Sequence, residues 1–344
     1  MRTLLALSFV AAAASAVAAD PVELRVATLA PPDSTWMKIL DKGSADIAQK
    51  TDQRVTLKWY PGGVQGDERD FIRKIGLGQL DGAAVTSIGL SMIDESIRVL
   101  ELPMMFDSIE EMDYVADKMW PYFQKKFEKK GYKLTDRGEI GWIYFMSKDK
   151  IESLADLKNA KVWQWGDDQI VAAMYRKLNI SGVPLGVPEV DAALTSGRIN
   201  ACYGSPLAAV ALQWNTKVKY MTSMPMSYGL GATVMSLDAY KKLAPEDAKT
   251  MLKLANKMGG KVRVGVRKDN KDAQKQMIQK GVKVVQTPAA MVSEFTKASQ
   301  EVWKELVGKV YSQEELDMVL KYRDEYRAKH SGTAPAAPAG GATK

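Results

Sequence analysis

The two most reactive side chains are almost missing: the 344-residue chain has one histidine and one cysteine. The histidine, His330, sits beside the C-terminal tail. There is no Ser-His or Cys-His pair, no histidine-built metal site and no G-x-S-x-G elbow. An enzyme on this chain would need a carboxylate-only or metal mechanism, which makes the enzyme reading the weakest. The lone Cys202 excludes an internal disulfide, so stability must come from packed cores. Asp167-Asp168 resembles the start of a metal loop, but it is read as a cap for a helix beginning near Gln169. No cofactor and no metal site is expected.

Long apolar runs are also lacking beyond the first residues. Arg2 gives a short positive region, Leu4 to Ala14 an apolar stretch too short to span a bilayer, and Ala16 to Ala19 small residues suited to cleavage. This is read as a Sec-type signal peptide over 1–19, without a lipoprotein cysteine, leading to the periplasm. The mature chain, roughly 325 residues, is long enough for two domains. The formal charge is +7, or one less once Arg2 is gone. Much of the excess lies between Lys241 and Lys283 at near-helical spacing, as on the solvated face of a helix or a surface for an anionic partner. Export disfavours nucleic acid.

Strand and helix patterns alternate through the N-terminal half. Val22 to Thr28 and Arg54 to Tyr60 read as strands, with helices over Trp36 to Lys50 and about Asp67 to Leu77. Strands follow at Leu80 to Val85, Val99 to Phe106 and Tyr132 to Arg137, with a helix from Ser108 to Lys130. This implies an α/β fold with a parallel-rich sheet covered on both faces. The stretch Gly78-Gln79-Leu80-Asp81-Gly82-Ala83 has an echo in Gly197-Arg198-Ile199-Asn200-Ala201-Cys202. In both, a C′ glycine ends a helix and a short polar residue turns into a strand. The recurrence suggests two similar lobes, with Thr86 and Ser87 in one and Tyr203 to Pro206 in the other facing a shared cleft. Lys217 to Thr222 and Leu230 to Ser236 read as strands crossing between lobes. A long helix should run from Pro245 to about Gln279, kinked at Gly259-Gly260, before helices at Ala289 to Val307 and Ser312 to Lys329. Residues 331–344 offer nothing to bury and read as disordered.

In order along the chain come RVATLAPPDSTW (Arg25 to Trp36), GLGQLDGA (Gly76 to Ala83), LPMMFDSIEEMDYV (Leu102 to Val115) and SLADLKNAKV (Ser153 to Val162). PLGVPEVDAALTSGRIN (Pro184 to Asn200) and LDAYKKLAPEDAK (Leu237 to Lys249) complete a series that closely resembles the DctP-type substrate-binding subunits of TRAP transporters. The resemblance implies a two-lobed periplasmic binding protein fold, a flytrap with crossing strands and one long, bent, lobe-spanning helix. On that pattern lobe I comprises 20–143 plus about 231–275, and lobe II comprises 144–230 plus about 276–330. The closed form would hand its small-molecule ligand to membrane permease subunits.

Departures from the pattern bear on the ligand. The family's arginine, which forks onto a ligand carboxylate, falls on Trp163, and a second arginine falls on Ile143. The family's ligand-facing asparagine falls on Ser205. An unpartnered carboxylate in a largely dry cleft costs several kcal/mol, whereas Trp163 and Trp165, on one sheet face by alternation, offer large apolar surfaces. The expected ligand is therefore apolar or amphipathic. Trp142, Tyr144, Tyr203, Trp214, Tyr228 and Trp36 are further cleft candidates, and Met104, Met105, Met224 and Met226 could form a compliant wall. Alternatives are a carboxylate binder using a relocated arginine (Arg137, Arg176 or Arg198) and a stand-alone carrier or sensor input. Some arginine-less relatives pair with a periplasmic helical-repeat protein, a further partner to consider.

Overall fold

The computed structural model describes residues 20–166 and 168–330; the expected signal peptide, the expected disordered tail and Asp167 lie outside them. Strand β1 (Val22–Thr28) leads into helix α1 (Thr35–Lys50), whose first turn is capped by the Ser34 hydroxyl accepting from Met37 N. Strand β2 (Val55–Tyr60) and helix α2 (Glu68–Gly76) follow, the latter begun by a reciprocal Asp67–Asp70 capping box. Next come β3 (Gly82–Thr86), a short α3 (Ser87–Ser91), and α4 (Ile109–Lys129) with Ser108 at its N-cap.

The expected strand over Val99 to Phe106 is instead the end of a 3₁₀ helix, Glu95–Glu101, followed by irregular chain. Asp94 caps that helix, and Ile97, Val99, Leu100 and Leu102 are all buried. With apolar residues enclosed on every side, neither a period of two nor one of 3.6 stands out in the sequence.

Short β4 (Tyr132–Leu134) precedes β5 (Gly138–Ser147). The second half of the fold is α5 (Leu154–Asn159), β6 (Val162–Trp165), α6 (Gln169–Leu178), β7 (Gly182–Leu185), α7 (Val190–Ser196), β8 (Ala201–Gly204) and α8 (Pro206–Ala211). Then come β9 (Tyr220–Thr222), β10 (Ser227–Ser236), α9 (Leu237–Tyr240), α10 (Pro245–Gln279), β11 (Lys283–Val285), α11 (Ala289–Glu305) and α12 (Gln313–Lys329).

The strands run β2-β1-β3-β10-β5-β8-β6-β7. At one end β2, β1 and β3 are mutually parallel and β10 joins β3 antiparallel. At the other, β7, β6 and β8 are parallel and β5 joins β8 antiparallel. The two ends thus repeat one arrangement, and the echoed glycines occupy equivalent places: Gly78 before β3 and Gly197 before β8 have φ of 71° and 75°, a region costly for other residues. Crossing is carried by β5 and β10. Residues 138–143 of β5 pair with β10, while Tyr144 to Ser147 pair with β8. Contrary to expectation, the 217–222 segment does not cross; β9 stays beside β11 and the last residues of β5.

Helix α10 spans both lobes. Near its start Asp247 is bridged by Arg54, and further on Asn270 accepts from Leu207 N and donates to Ile140 O. Gly259-Gly260 does not interrupt the helix. Gly259 instead permits close approach, since a Cβ there would lie 2.8 Å from Arg137 O. The last helix, α12, returns to α4, where Glu315 accepts from Lys126 Nζ at 2.6 Å and Tyr122 Oη at 2.9 Å.

Candidate ligand-binding cavity

At the carboxyl ends of β1, β3, β6 and β8 the two lobes enclose a cavity of about 250 Å³. Strand carboxyl ends are where open α/β sheets present loops and helix N-termini to ligands. Trp36, Thr86, Ser87, Ile143, Trp163, Trp165, Tyr203, Ser205 and Trp214 line it. Trp142, Tyr144 and Tyr228 do not. Their neighbours Ile143 and Phe145 on β5, and Ser227 and Gly229 on β10, face the cavity. Alternation along a strand turns the intervening side chains to the opposite face, where the Trp142 ring meets Tyr228 edge-on at 5.0 Å. Of the four methionines only Met226 reaches the wall.

Trp163 sits at the centre of the aromatic wall and is only 2% exposed. Its ring stacks on Tyr203 at 4.7 Å, meets Trp214 edge-on at 5.3 Å and lies tilted to Trp165 at 5.8 Å. Its indole N–H donates to Leu185 O at 3.0 Å, so the ring has no donor left over. Tyr203 Oη accepts from Trp165 N at 3.1 Å, fixing the strand end that carries both tryptophans. The Ser205 oxygen accepts from Ala208 N as the cap of α8.

Two polar bridges join the lobes at the rim. Trp165 Nε1 donates to Asp67 Oδ2 at 3.1 Å, and Val187 N donates to the same oxygen at 3.0 Å. Arg98 Nη2 donates to Asp168 Oδ2 at 2.8 Å, while Asp168 Oδ1 accepts from Ile170 N and Val171 N as the cap of α6. The expected capping role of Asp168 is present, and the same carboxylate also ties the lobes.

Among the described residues Arg98 is the only cationic side chain lining the cavity, and sequence reasoning missed it. Arg137 is tied to Asp113 and Asp117, Arg176 bridges Glu305, and exposed Arg198 does not reach the wall. Carboxyl groups are the commoner charge: Glu68, Glu101, Asp136, Glu139 and Asp168 all line the cavity. Burial pushes Glu68 up to about 8, despite bonds from Thr86 N, Thr86 Oγ1 and Gly89 N. Burial also raises Asp136 to about 6 and pushes up Glu101 and Glu139. Glu139 has its own counter-charge in Arg267 at 2.7 Å. No cluster of side chains suited to hold a metal ion occurs among the described residues, and none of their helices is long and apolar enough to cross a membrane.

A solute-binding protein of Chromohalobacter salexigens is 27% identical over 172 residues, 49% of this chain and 51% of the relative. The uncharacterized protein YiiZ of Salmonella typhimurium is 22% identical over 209 residues, 58% of this chain and 62% of the relative. The chain therefore spans between half and two thirds of these curated relatives. Solved structures match over far more of their length. The sugar acid binding protein DctPAm of Advenella mimigardefordensis, in complex with galactonate, superposes with a TM-score of 0.84 at 18% identity, covering 89% of this chain and 99% of that one. The Bordetella pertussis receptor DctP7, binding pyroglutamic acid, gives a TM-score of 0.82 at 16% identity, covering 88% and 99%. The model of the DctP family, bacterial extracellular solute-binding protein family 7, matches residues 26–309, and the chain belongs to that TRAP-type family of solute-binding proteins.

Proposed function

We propose that this protein captures a small apolar or amphipathic molecule in the periplasm and delivers it to the membrane subunits of a TRAP-type transporter. The observation that carries the reading is Trp163. It stands where the family resemblance places a carboxylate-binding arginine, and its one donor is spent on Leu185 O. What it presents to the cavity is hydrocarbon, together with Trp165, Trp214 and Ile143. Solved relatives bind galactonate and pyroglutamic acid. A carboxylate of that kind needs a free cation in a dry site, and the lining guanidinium here is already paired with Asp168.

Capture works through lobe closure, since a ligand shifts the open–closed equilibrium only by contacts that favour one state. The lobes are proposed as 20–143 plus about 231–275, and 144–230 plus about 276–310. The contacts of α12 with α4 argue for assigning that helix to the first lobe. The N-terminal signal reading supports export. The decisive experiment is mass spectrometry of ligand extracted from protein purified without denaturation. A lipid-like or aromatic molecule is expected; recovery of a small dicarboxylate would overturn the reading.

A further inference from the structure

The lysine-rich run before Lys283 lies mostly on α10, and the structure gives it a direction. Helix α10 packs inward through Met251, Met258, Val262, Val266 and Met277. Lys249, Lys253, Lys257 and Lys261 follow one another at i,i+4, and Lys268, Lys271 and Lys275 continue the row, all of them exposed. At about 100° per residue these lysines fall in a stripe about 120° wide and about 40 Å long, opposite the packed side. Two apolar side chains stand on the same stripe, Val264 at 72% exposed and Ile278 at 45%. The only exposed acids of α10 are Glu246 and Asp272. Asp272 meets Lys268 and Lys275, but among the described residues Lys249, Lys253, Lys257, Lys261 and Lys271 have no ion-pair partner. A merely solvated helix face mixes signs, because opposite charges four residues apart support a helix and like charges weaken it. Three successive like-charged pairs therefore cost α10 stability, and nothing on its face offsets them.

We infer that this face of α10 rests on an anionic phospholipid membrane surface. Charge complementarity sets the sign of the partner, and side-chain chemistry favours a membrane over an acidic protein. Protein interfaces are depleted in lysine and centre on packed aromatic or apolar anchors. Helix α10 has no aromatic residue, and its two exposed apolar side chains are 14 positions apart. Flexible ammonium groups along one face, with apolar tips between them, suit a layer of anionic headgroups. A second copy of the same face would meet it with like charge. None of these lysines lines the cavity, so membrane contact and ligand choice are separate properties. The contact keeps the protein at the surface where the membrane subunits of its transporter lie.

The test is co-sedimentation of the purified protein with vesicles of phosphatidylglycerol and phosphatidylcholine in equal parts, against vesicles of phosphatidylcholine alone. Binding to the anionic vesicles alone is expected at about 50 mM salt, with loss at about 0.5 M, where charges are screened within a few Å. Lys253→Gln, Lys257→Gln and Lys261→Gln together keep helix-forming side chains and should weaken that binding about 100-fold, or about fivefold per lysine. Lys125→Gln, Lys129→Gln and Lys158→Gln together remove the same charge from exposed positions elsewhere and should change it less than about threefold. Equal weakening in the two triple variants would assign the binding to net charge and overturn the role of α10. No binding to anionic vesicles at low salt, or equal binding to both vesicles, would overturn the membrane inference. Poly-glutamate binding without vesicle binding would give the face to an acidic protein instead. A dimer in sedimentation velocity that the α10 variant dissolves would give it to a second copy.

Discussion

The Trp165 indole N–H reaches across the rim to Asp67 Oδ2 at 3.1 Å, joining a strand end of one lobe to the helix start of the other. Asp67 accepts from Val187 N as well and caps α2 through its other oxygen. One side chain therefore serves local helix stability and the contact between lobes, which makes it a means of separating the two.

Asp67→Ala should lose about 1–2 kcal/mol through the missing cap, and should also release both bonds to the second lobe. Asp67→Ser can still cap but is too short to span the rim. The expected result is near-native thermal stability for Asp67→Ser with a larger radius of gyration by small-angle scattering. If the serine variant is as closed as the native protein, the bridge does not hold the lobes.

Trp163→Ala should destabilise the protein by about 3–5 kcal/mol, the usual cost of truncating a buried large aromatic. Trp163→Phe keeps a ring against Tyr203 and removes one of the two donors to Leu185 O, leaving the Gly166 N bond in place, a loss of up to about 1 kcal/mol. Urea unfolding gives both values. Trp163→Arg places a cation where the resemblance locates one and should gain measurable binding of galactonate, which calorimetry with the unmodified protein as control would detect.

Gly259 and Gly260 are neighbours on α10 with opposite expectations. A Cβ on Gly259 meets Arg137 O at 2.8 Å, whereas one on Gly260 meets nothing within 4 Å. Gly259→Ala should therefore cost about 1–3 kcal/mol through overpacking against backbone. Gly260→Ala should gain up to about 1 kcal/mol from lower unfolded-state entropy and better helix propensity. Denaturant midpoints that move together would show that α10 does not lie this close to the backbone at Arg137, just before β5.

Two buried glutamates should respond to pH with opposite sign. Burial raises Glu68 to about 8, so the folded state holds a proton that the unfolded chain releases near the ordinary glutamate value of 4.5. Its contribution is fully present below about pH 4.5 and declines as pH rises to about 8. Glu315 behaves otherwise. Burial alone would raise it, but Lys126, Ser312 N, Ser96 and Tyr122 together pull it down to about 2. Its contribution is present above about pH 4.5 and is lost as pH falls through 2. Unfolding free energies from pH 3 to 9 should lose the alkaline decline in Glu68→Gln and the acid decline in Glu315→Gln.

Local signals carried much of the fold. The bounds of β1 and α10 follow from residues in place: alternation up to Thr28, Pro245 at a helix start, and acidic residues in its first turn. Asp67, Ser108, Ser153, Asp168 and Ser312 cap helices where short polar residues precede an apolar periodicity. The 3₁₀ helix at Glu95–Glu101 was hidden because its surroundings bury it from all sides. Arg98 was hidden for a different reason. Its partner Asp168 is 70 residues away, on the other lobe, and no spacing rule connects them. Trp142, Tyr144 and Tyr228 have the side-chain type of cleft residues and lie on the crossing strands, but strand alternation divides Ile143 from its two neighbours.

By itself the sequence determined an α/β chain with two echoed halves, a long helix from Pro245 and a strand that carries Trp163 and Trp165 on one face. These are properties of short segments, set by backbone preference and hydrophobic period. Only the tertiary structure decided which aromatics face the cavity, that the Trp163 donor is spent on Leu185 O, and that Arg98 lines the cavity. Those facts depend on which donors meet which acceptors once distant strands are brought side by side, and chain folding, not local propensity, makes those pairings.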